Sequence, residues 1–168
     1  MLLITDPGGE HPNLNGGGAH LEDGIRILLN IILVLFLVFL NGFFVAAEFA
    51  LVKVRGSRLA ELVAGGNKRA KFAQHVTSRL DAYLSACQLG ITLASLGLGW
   101  VGEPAVAHLI VQPAMEALNA PQYMVGPVSF GIAFAIITFL HIVLGELAPK
   151  SLAIFKSEGV SLWLSAPL

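Results

Sequence analysis

Residues 27–47 form an unbroken run of twenty-one residues without a charged side chain. As a helix this run would be about 31 Å long, enough to cross the ~30 Å hydrocarbon core of a bilayer. Two further runs, 82–102 and 117–145, also contain no Asp, Glu, Lys or Arg. Because backbone polar groups in lipid must bond within the protein, and because these runs do not alternate polar with apolar residues, helices are predicted and barrel strands are not.

Composition supports this interpretation, since 55% of the 168 residues are hydrophobic and only 12% are charged, whereas soluble domains carry about 25% charged residues. We therefore predict an all-α integral membrane protein with three transmembrane helices and additional juxtamembrane helices. The third helix is expected to begin near Gly126 or Pro127, where proline suits a first turn. The predicted spans are about 27–52, 82–103 and 126–148, with a short outer helix at 104–120 opened by Pro104.

The distribution of lysine and arginine predicts the orientation. Seven basic residues lie between the first two spans, and none lies between the second and third. Basic loops remain in the cytoplasm. The N-terminus is therefore expected outside and the C-terminus in the cytoplasm of a multi-pass plasma-membrane protein.

The remaining segments are interpreted from composition. Residues 1–24 begin with a stretch rich in Gly, Pro, Asn and His, which predicts a disordered extracytoplasmic tail. Residues 56–80 mix apolar and basic side chains, which favours a juxtamembrane amphipathic helix broken at Gly65 and Gly66; a solvated linker is the alternative. Residues 151–168 would begin a second juxtamembrane segment. Because the chain ends in apolar sequence, we expect a fragment of a longer protein.

The most informative polar groups lie near the end of the third span. Pro149 has no N–H and its ring clashes with the carbonyl four residues earlier, so the Gly145 carbonyl must find another partner. Glu146 adds a carboxylate beside that carbonyl, and oxygen ligands of this kind suit Mg²⁺. Broken helices line ion sites in transporters. The alternative is a proline kink with a Glu146–Lys150 pair at i,i+4 spacing.

Several other polar residues lie within the predicted spans. Glu48 either faces the same cavity as Glu146 or pairs with Arg55 at the inner interface. His141 is a fourth polar group within the third span, and Asn30 and Asn41 favour hydrogen bonding between helices. The second span carries a polar stripe that lines an ion path or ties helices together, and a small-residue stripe that permits close packing. The polar stripe is Ser85, Gln88, Thr92 and Ser95, and the small one is Ala86, Gly90, Ala94 and Gly97.

Three ordered motifs resemble the CNNM/CorC transmembrane domain, which also occurs in bacterial proteins labelled hemolysin-like. Gly-Glu-Leu-Ala-Pro-Lys (145–150) resembles the family's Gly-Glu-x-x-Pro-Lys signature. Asn-Gly-Phe-Phe-Val-Ala-Ala-Glu-Phe-Ala-Leu (41–51) is similar to its first-helix motif, and Cys-Gln-Leu-Gly-Ile-Thr-Leu-Ala-Ser (87–95) to its second. The resemblance extends from about residue 27 to the end, so that 25–168 is identified as a domain of this type.

The resemblance implies a homodimer that exports Mg²⁺, or Co²⁺ as a mimic, coupled to another ion. It also implies that the full protein continues into cytoplasmic CBS modules, which bind adenine nucleotides. In the family, the cation is held by first-helix hydroxyls, a second-helix asparagine, and the glycine carbonyl and glutamate of the third helix. Gly145 and Glu146 match this pattern. The expected metal ligands in this chain are Glu146, Gly145, Glu48, Thr92 and Ser95, with Pro149 and Lys150 in structural roles.

Two motifs depart from the family pattern. Val-Ala-Ala-Glu (45–48) stands where better-studied members have Ser-x-Ser-Glu, and Gly-Ile-Thr-Leu-Ala-Ser (90–95) where they have Gly-Asn-x-Leu-Val-Asn. Thr92, Ser95 and Gln88 are the available substitutes. Two functions are therefore predicted, a divalent-cation transporter and a non-transporting membrane anchor or regulator. The sequence contains no phosphate loop, zinc-protease motif or serine elbow, so no catalytic residue and no enzyme activity are predicted.

Overall fold

The computed structural model describes the backbone of residues 16–168 and the side chains from residue 24 onward. Within that range it is helical, with short connections and no strand. Two short π-helical segments, here called π1 and π2, interrupt the α-helices. The elements are α1 (Gly16–Lys53), α2 (Gly56–Ala64), α3 (Lys68–Ser78), α4 (Leu80–Val106), π1 (Ala107–Val111), α5 (Gln112–Ala117), α6 (Gln122–Leu140), π2 (His141–Leu147), α7 (Ala148–Phe155) and α8 (Ser157–Leu164).

Three helical stretches in the described part of the chain are long and apolar enough to cross a membrane, which confirms the predicted fold class. They are Gly24–Lys53, Leu80–Ala117 and Gln122–Phe155. The first two extend past both ends of the apolar runs 27–47 and 82–102. The third starts five residues after the run 117–145 begins and extends past its end.

Two predicted boundaries require correction. Residues 16–24, assigned to a disordered tail, belong to α1 in the structure, while residues 1–15 of that predicted tail lie outside the described range. The third span begins at Gln122, because Pro121 supplies the extended backbone that precedes the helix, and Pro127 is accommodated inside it. Pro121 stands where a backbone N–H would have no partner within the helix. Pro127 lies in the second turn and leaves the Tyr123 carbonyl without its usual donor.

Residues 104–120 do not form a separate outer helix. Helix α4 continues through Pro104 and passes without a break into π1 and then α5. In the π-helical turn that follows, the Gln112 N–H donates to the Ala107 carbonyl, and the helix widens after Pro104 without being interrupted. The chain reverses only after Leu118, where Asn119 adopts a positive φ of 53°.

The juxtamembrane segment is a helical hairpin broken where the glycine pair predicts. Gly66 adopts a φ of +84°, which favours glycine. Asn67 then accepts hydrogen bonds from the backbone N–H groups of Arg69 and Ala70 and so caps α3. One face of the hairpin is buried through Leu59, Ala70, Ala73 and Val76.

Helices α1 and α4 form the most extensive helix pair of the fold. Their close approach depends on small residues of α4, because a Cβ at Gly90 would lie 2.5 Å from the ring of Phe44. Gly97 lies similarly under Leu37, and Ala94 is buried. The small-residue stripe therefore packs helices as predicted, apart from Ala86, which is exposed.

After the third span, the chain returns to the C-terminal part of α1. Helices α7 and α8 both pack on α1, where Ala46, Ala50 and Ala153 form a small core. Arg58 of α2 bridges to this layer, since it bonds Glu61 at 2.9 Å and Glu158 of α8 at 3.2 Å. The hydrogen bonds that the Arg58 guanidinium donates to these two carboxylates raise its pKa above its ordinary value. The two juxtamembrane segments thus meet as one layer.

Candidate functional site: a polar junction between three membrane helices

Asn41 lies within the first membrane span and is fully buried. It precedes Lys53, at the end of α1, by twelve residues, or about 18 Å, which places it near the middle of a ~30 Å hydrocarbon core. The next residue, Gly42, lets the ring of Pro149 approach closely, because a Cβ at Gly42 would be 3.0 Å from Pro149 Cγ. The sequence Asn-Gly therefore holds a polar amide directly against the proline-containing part of the third span.

The Asn41 amide connects all three membrane helices. Its Nδ2 donates to the Gly145 carbonyl at 3.0 Å and lies 3.1 Å from His141 Nε2. Its Oδ1 accepts from the hydroxyl of Ser95 on α4 at 3.3 Å. The Ser95 hydroxyl also lies 3.2 Å from His141 Nε2. We call the side chains of Asn41, Ser95 and His141 together with the Gly145 carbonyl the polar junction.

His141 Nε2 lies within hydrogen-bond distance of two groups at the junction, Asn41 Nδ2 and the Ser95 hydroxyl. The imidazole tautomer decides whether Nε2 donates or accepts in these contacts. Polar groups at this depth are costly unless they are bonded. At the junction, the Asn41 amide, the Ser95 hydroxyl, the Gly145 carbonyl and His141 Nε2 each have a partner within the protein.

Glycine is required at position 145 because the junction leaves no room for a side chain. A Cβ there would lie 2.9 Å from Asn41 Nδ2 and 2.9 Å from His141 Cδ2. Gly145 itself is buried. Pro149 has no N–H to donate to the Gly145 carbonyl. That carbonyl accepts a hydrogen bond from the Asn41 side-chain amide instead. The prediction that this carbonyl must find a partner outside its own helix is confirmed, and the partner is an asparagine.

The predicted break in the third helix is wrong. The helix continues from α6 through π2 into α7, and the Ala148 N–H donates to the Val143 carbonyl five residues earlier. A π-helical turn accommodates the proline because it shifts backbone partners by one residue, so the helix widens without breaking. Such turns occur frequently at functional sites.

Glu146 lies next to the junction but takes no part in its hydrogen bonds. The residue is half-buried, and no described residue forms a hydrogen bond or an ion pair with its carboxylate. The predicted Glu146–Lys150 pair is not formed. Lys150 Nζ lies instead over the ring of Phe49, 4.5 Å from its centroid, because the aromatic face on α1 offers a cation–π contact.

The other expected ligands lie apart from the junction. Glu48 accepts a hydrogen bond from Gln88 Nε2 at 3.3 Å, and no ion pair joins it to Arg55 among the described residues. Thr92 donates to the carbonyl of Gln88 on its own helix at 2.9 Å and is exposed. Of the polar stripe on α4, Ser95 alone bonds to the junction. Among the residues the structure describes, no three His, Cys, Asp or Glu side chains cluster as metal ligands.

Sequence reasoning did not identify Asn41 as the partner of Gly145 or His141 as a member of the site. Asn41 was expected to bond between helices, which the structure confirms. The signal available for His141 was its spacing of four residues from Gly145, which places both on one face of the helix. No sequence feature indicated which residues of α1 and α4 would meet that face.

Comparisons with known proteins identify sequences related to this chain. The family model for the cyclin M transmembrane N-terminal domain (CNNM) matches residues 31–168. The UPF0053 protein YhdP of Bacillus subtilis is 52% identical over 141 residues, which cover 84% of this chain and 32% of that protein. YugS of the same organism is 48% identical over 142 residues, covering 84% of this chain and 33% of YugS.

A more distant relative comes from another bacterium. The uncharacterized protein Rv1841c of Mycobacterium tuberculosis is 37% identical over 141 residues, covering 84% of this chain and 39% of that protein. This chain thus spans about a third of the length of the curated relatives it matches.

Proposed function

Because this chain belongs to the CNNM family, whose transmembrane N-terminal domain it matches over residues 31–168, we propose that it forms the membrane part of a divalent-cation transporter. The proposed substrate is Mg²⁺, with Co²⁺ as an alternative. The proposed activity is ion-coupled efflux across the plasma membrane, without catalysis. The N-terminus lies outside and the C-terminus in the cytoplasm, as the distribution of basic residues predicts.

The observation that carries this proposal is the polar junction. Three membrane helices each contribute polar groups to one buried cluster, through Asn41, Ser95, His141 and the Gly145 carbonyl. Polar groups inside a membrane protein mark substrate or ion pathways. A backbone carbonyl released from its helix, next to a half-buried carboxylate, is a pair of oxygen ligands suited to a hard cation.

In this proposal the Asn41 amide donates a hydrogen bond to the Gly145 carbonyl between transport events. An arriving cation would take that carbonyl and the Glu146 carboxylate as ligands, and the Asn41 amide would turn away. Mg²⁺ retains several waters readily, so two protein oxygens suffice to begin a site. Ser95 would join through its hydroxyl, whereas Glu48 and Thr92 would have to leave their present partners.

The assembly is proposed as a homodimer. Gln88 and Thr92 are exposed on a helix that is long and apolar enough to span a membrane. Polar side chains in such helices almost always face protein or water, because exposure to lipid is costly. A second copy that covers this face of α4 would remove that cost. The full protein would continue into cytoplasmic CBS modules that bind adenine nucleotides, consistent with the greater length of the relatives.

Magnesium flux from liposomes tests the proposal. The protein is reconstituted into vesicles loaded with Mg²⁺, and efflux is followed with a Mg²⁺-sensitive dye. We expect Glu146→Ala to abolish flux, because it removes the carboxylate of the residue that follows Gly145. Glu116→Ala is the matched control, since Glu116 is an exposed carboxylate on α5. Flux that survives in Glu146→Ala, with the protein still folded, rejects the proposal.

A non-transporting membrane anchor or regulator is the second candidate. The observation in its favour is that Asn41 already satisfies the Gly145 carbonyl and Gln88 already bonds Glu48. An anchor would keep these bonds permanently, and Mg²⁺ would not raise its melting temperature. A saturable rise in melting temperature with Mg²⁺ would eliminate this candidate, because a ligand that binds the folded state stabilises it.

A further inference from the structure

An apolar groove lies along the line where π2, α7 and α8 pack on α1. The groove has a volume of about 760 Å³ and lies between α1, the stretch from π2 to α7, and α8. Small residues form part of its lining, through Gly42, Ala46, Ala148 and Gly159. This volume lies in the range of pockets that hold small organic molecules. The groove is separate from the polar junction, because its lining includes none of the junction residues.

The dimensions of the groove match one leaflet of a bilayer. Along α1 its lining runs from Leu35 to Ala46. Eleven residues of helix measure about 16 Å, close to half of a ~30 Å hydrocarbon core. Leu35 and Phe39 at one end are exposed, at 63% and 72%. The groove therefore opens along its length toward lipid and has the reach of an acyl chain.

Basic groups occupy the end of the groove near α8. Lys156 lines it directly. Trp163 also lines the groove. The guanidinium of Arg69 lies over the Trp163 ring, 4.1 Å from the ring centroid. Neither Lys156 nor Arg69 forms an ion pair with any residue the structure describes. A tryptophan beside two such cations is typical of the membrane interface, where phosphate groups lie.

We propose that this groove binds an anionic phospholipid, with one acyl chain along α1 and the phosphate held by Lys156 and Arg69. Basic pockets between membrane helices bind anionic head groups in this way. The stacked Arg69 is fixed by Trp163 and keeps N–H donors free for phosphate oxygens. The site is independent of the transport proposal, and its lipid would fasten α8 and α3 to the first membrane helix.

Tryptophan fluorescence gives a direct test, since the chain has only two tryptophans. Trp100→Phe removes the other one, which is exposed on α4, and leaves Trp163 as the reporter. The variant is reconstituted into phosphatidylcholine vesicles that contain a fraction of either phosphatidylglycerol or phosphatidylcholine with brominated acyl chains. Bromine quenches tryptophan on contact. We expect brominated phosphatidylglycerol to quench Trp163 at a mole fraction at least fivefold lower than brominated phosphatidylcholine.

Single substitutions separate the groove from general surface charge. Lys156→Gln and Arg69→Gln, both at exposed positions, should each reduce the preference for phosphatidylglycerol about fivefold. Lys71→Gln is the matched control, an exposed basic residue of α3 that does not line the groove; it should change the preference less than twofold. Gly159→Leu adds a side chain where a Cβ meets nothing within 4 Å, and should weaken quenching by both lipids by filling the groove.

Three results would overturn the proposal. Equal quenching by the two brominated lipids would mean that the groove does not select anionic lipid. An equal loss in Lys71→Gln would assign the preference to bulk charge at the surface. Quenching that disappears as the protein-to-lipid ratio rises would mean that a second copy of the chain covers the groove. Circular dichroism and gel filtration of each variant confirm that the helices and assembly are unchanged.

Discussion

Replacing Asn41 by alanine should destabilise the folded protein more than any other single polar substitution in the first span. The change removes two contacts of Nδ2, to the Gly145 carbonyl at 3.0 Å and to His141 Nε2 at 3.1 Å. It also removes the bond from the Ser95 hydroxyl to Oδ1 at 3.3 Å. Hydrogen bonds between membrane helices average about 0.6 kcal/mol, so three contacts contribute about 2 kcal/mol.

The loss should lie above that sum, because the Gly145 carbonyl would remain buried without a donor. An unsatisfied buried acceptor costs about 1–3 kcal/mol. We therefore expect Asn41→Ala to lower the free energy of unfolding by about 3–5 kcal/mol. Unfolding is measured by titrating SDS into mixed micelles and following helix content.

Asn30→Ala is the control for this measurement. Asn30 lies on the same helix and is exposed, so its replacement should change the unfolding free energy by less than about 0.5 kcal/mol. The reasoning is refuted if Asn41→Ala is as stable as the parent, or if the two variants lose equal amounts. Either result would mean that the Asn41 contacts do not hold the three helices together.

Two further predictions concern the packing of α4. Gly90→Ala should lower the free energy of unfolding by about 1–3 kcal/mol, because the new methyl would meet the Phe44 ring; Gly99→Ala, which meets nothing within 4 Å, is its control, and equal stabilities would contradict the packing. Cys87 is fully buried, so it should resist a maleimide in mild detergent and react after denaturation in SDS. Rapid labelling of the folded protein would show that this face of α4 is open.

Hydropathy and local turn chemistry predicted the elements that depend on neighbouring residues. The three membrane spans follow from apolar runs longer than the bilayer core. The break between α2 and α3 follows from Gly65 and Gly66, since glycine alone adopts the positive φ found at Gly66 without strain. In each case the cause lies within a few residues of the effect.

Contacts between helices could not be predicted in the same way. Pro149 indicates that the Gly145 carbonyl needs a partner, but the choice of Asn41 depends on how α1 is rotated against the third span. That rotation is set by Gly42 against Pro149 and by Gly90 under Phe44, contacts that are remote in sequence. For the same reason Lys150 lies over Phe49 and does not pair with Glu146.

The proposed exchange, in which a cation takes the Gly145 carbonyl from Asn41, can be followed through the side-chain amide of Asn41. The protein is labelled with ¹⁵N-asparagine, and the Asn41 signal is assigned by comparison with Asn41→Ala in the same micelles. On titration with Mg²⁺ we expect a saturable shift of the Asn41 amide resonance and no shift of Asn30. An Asn41 resonance that stays fixed while Mg²⁺ binds or crosses the membrane would contradict the account.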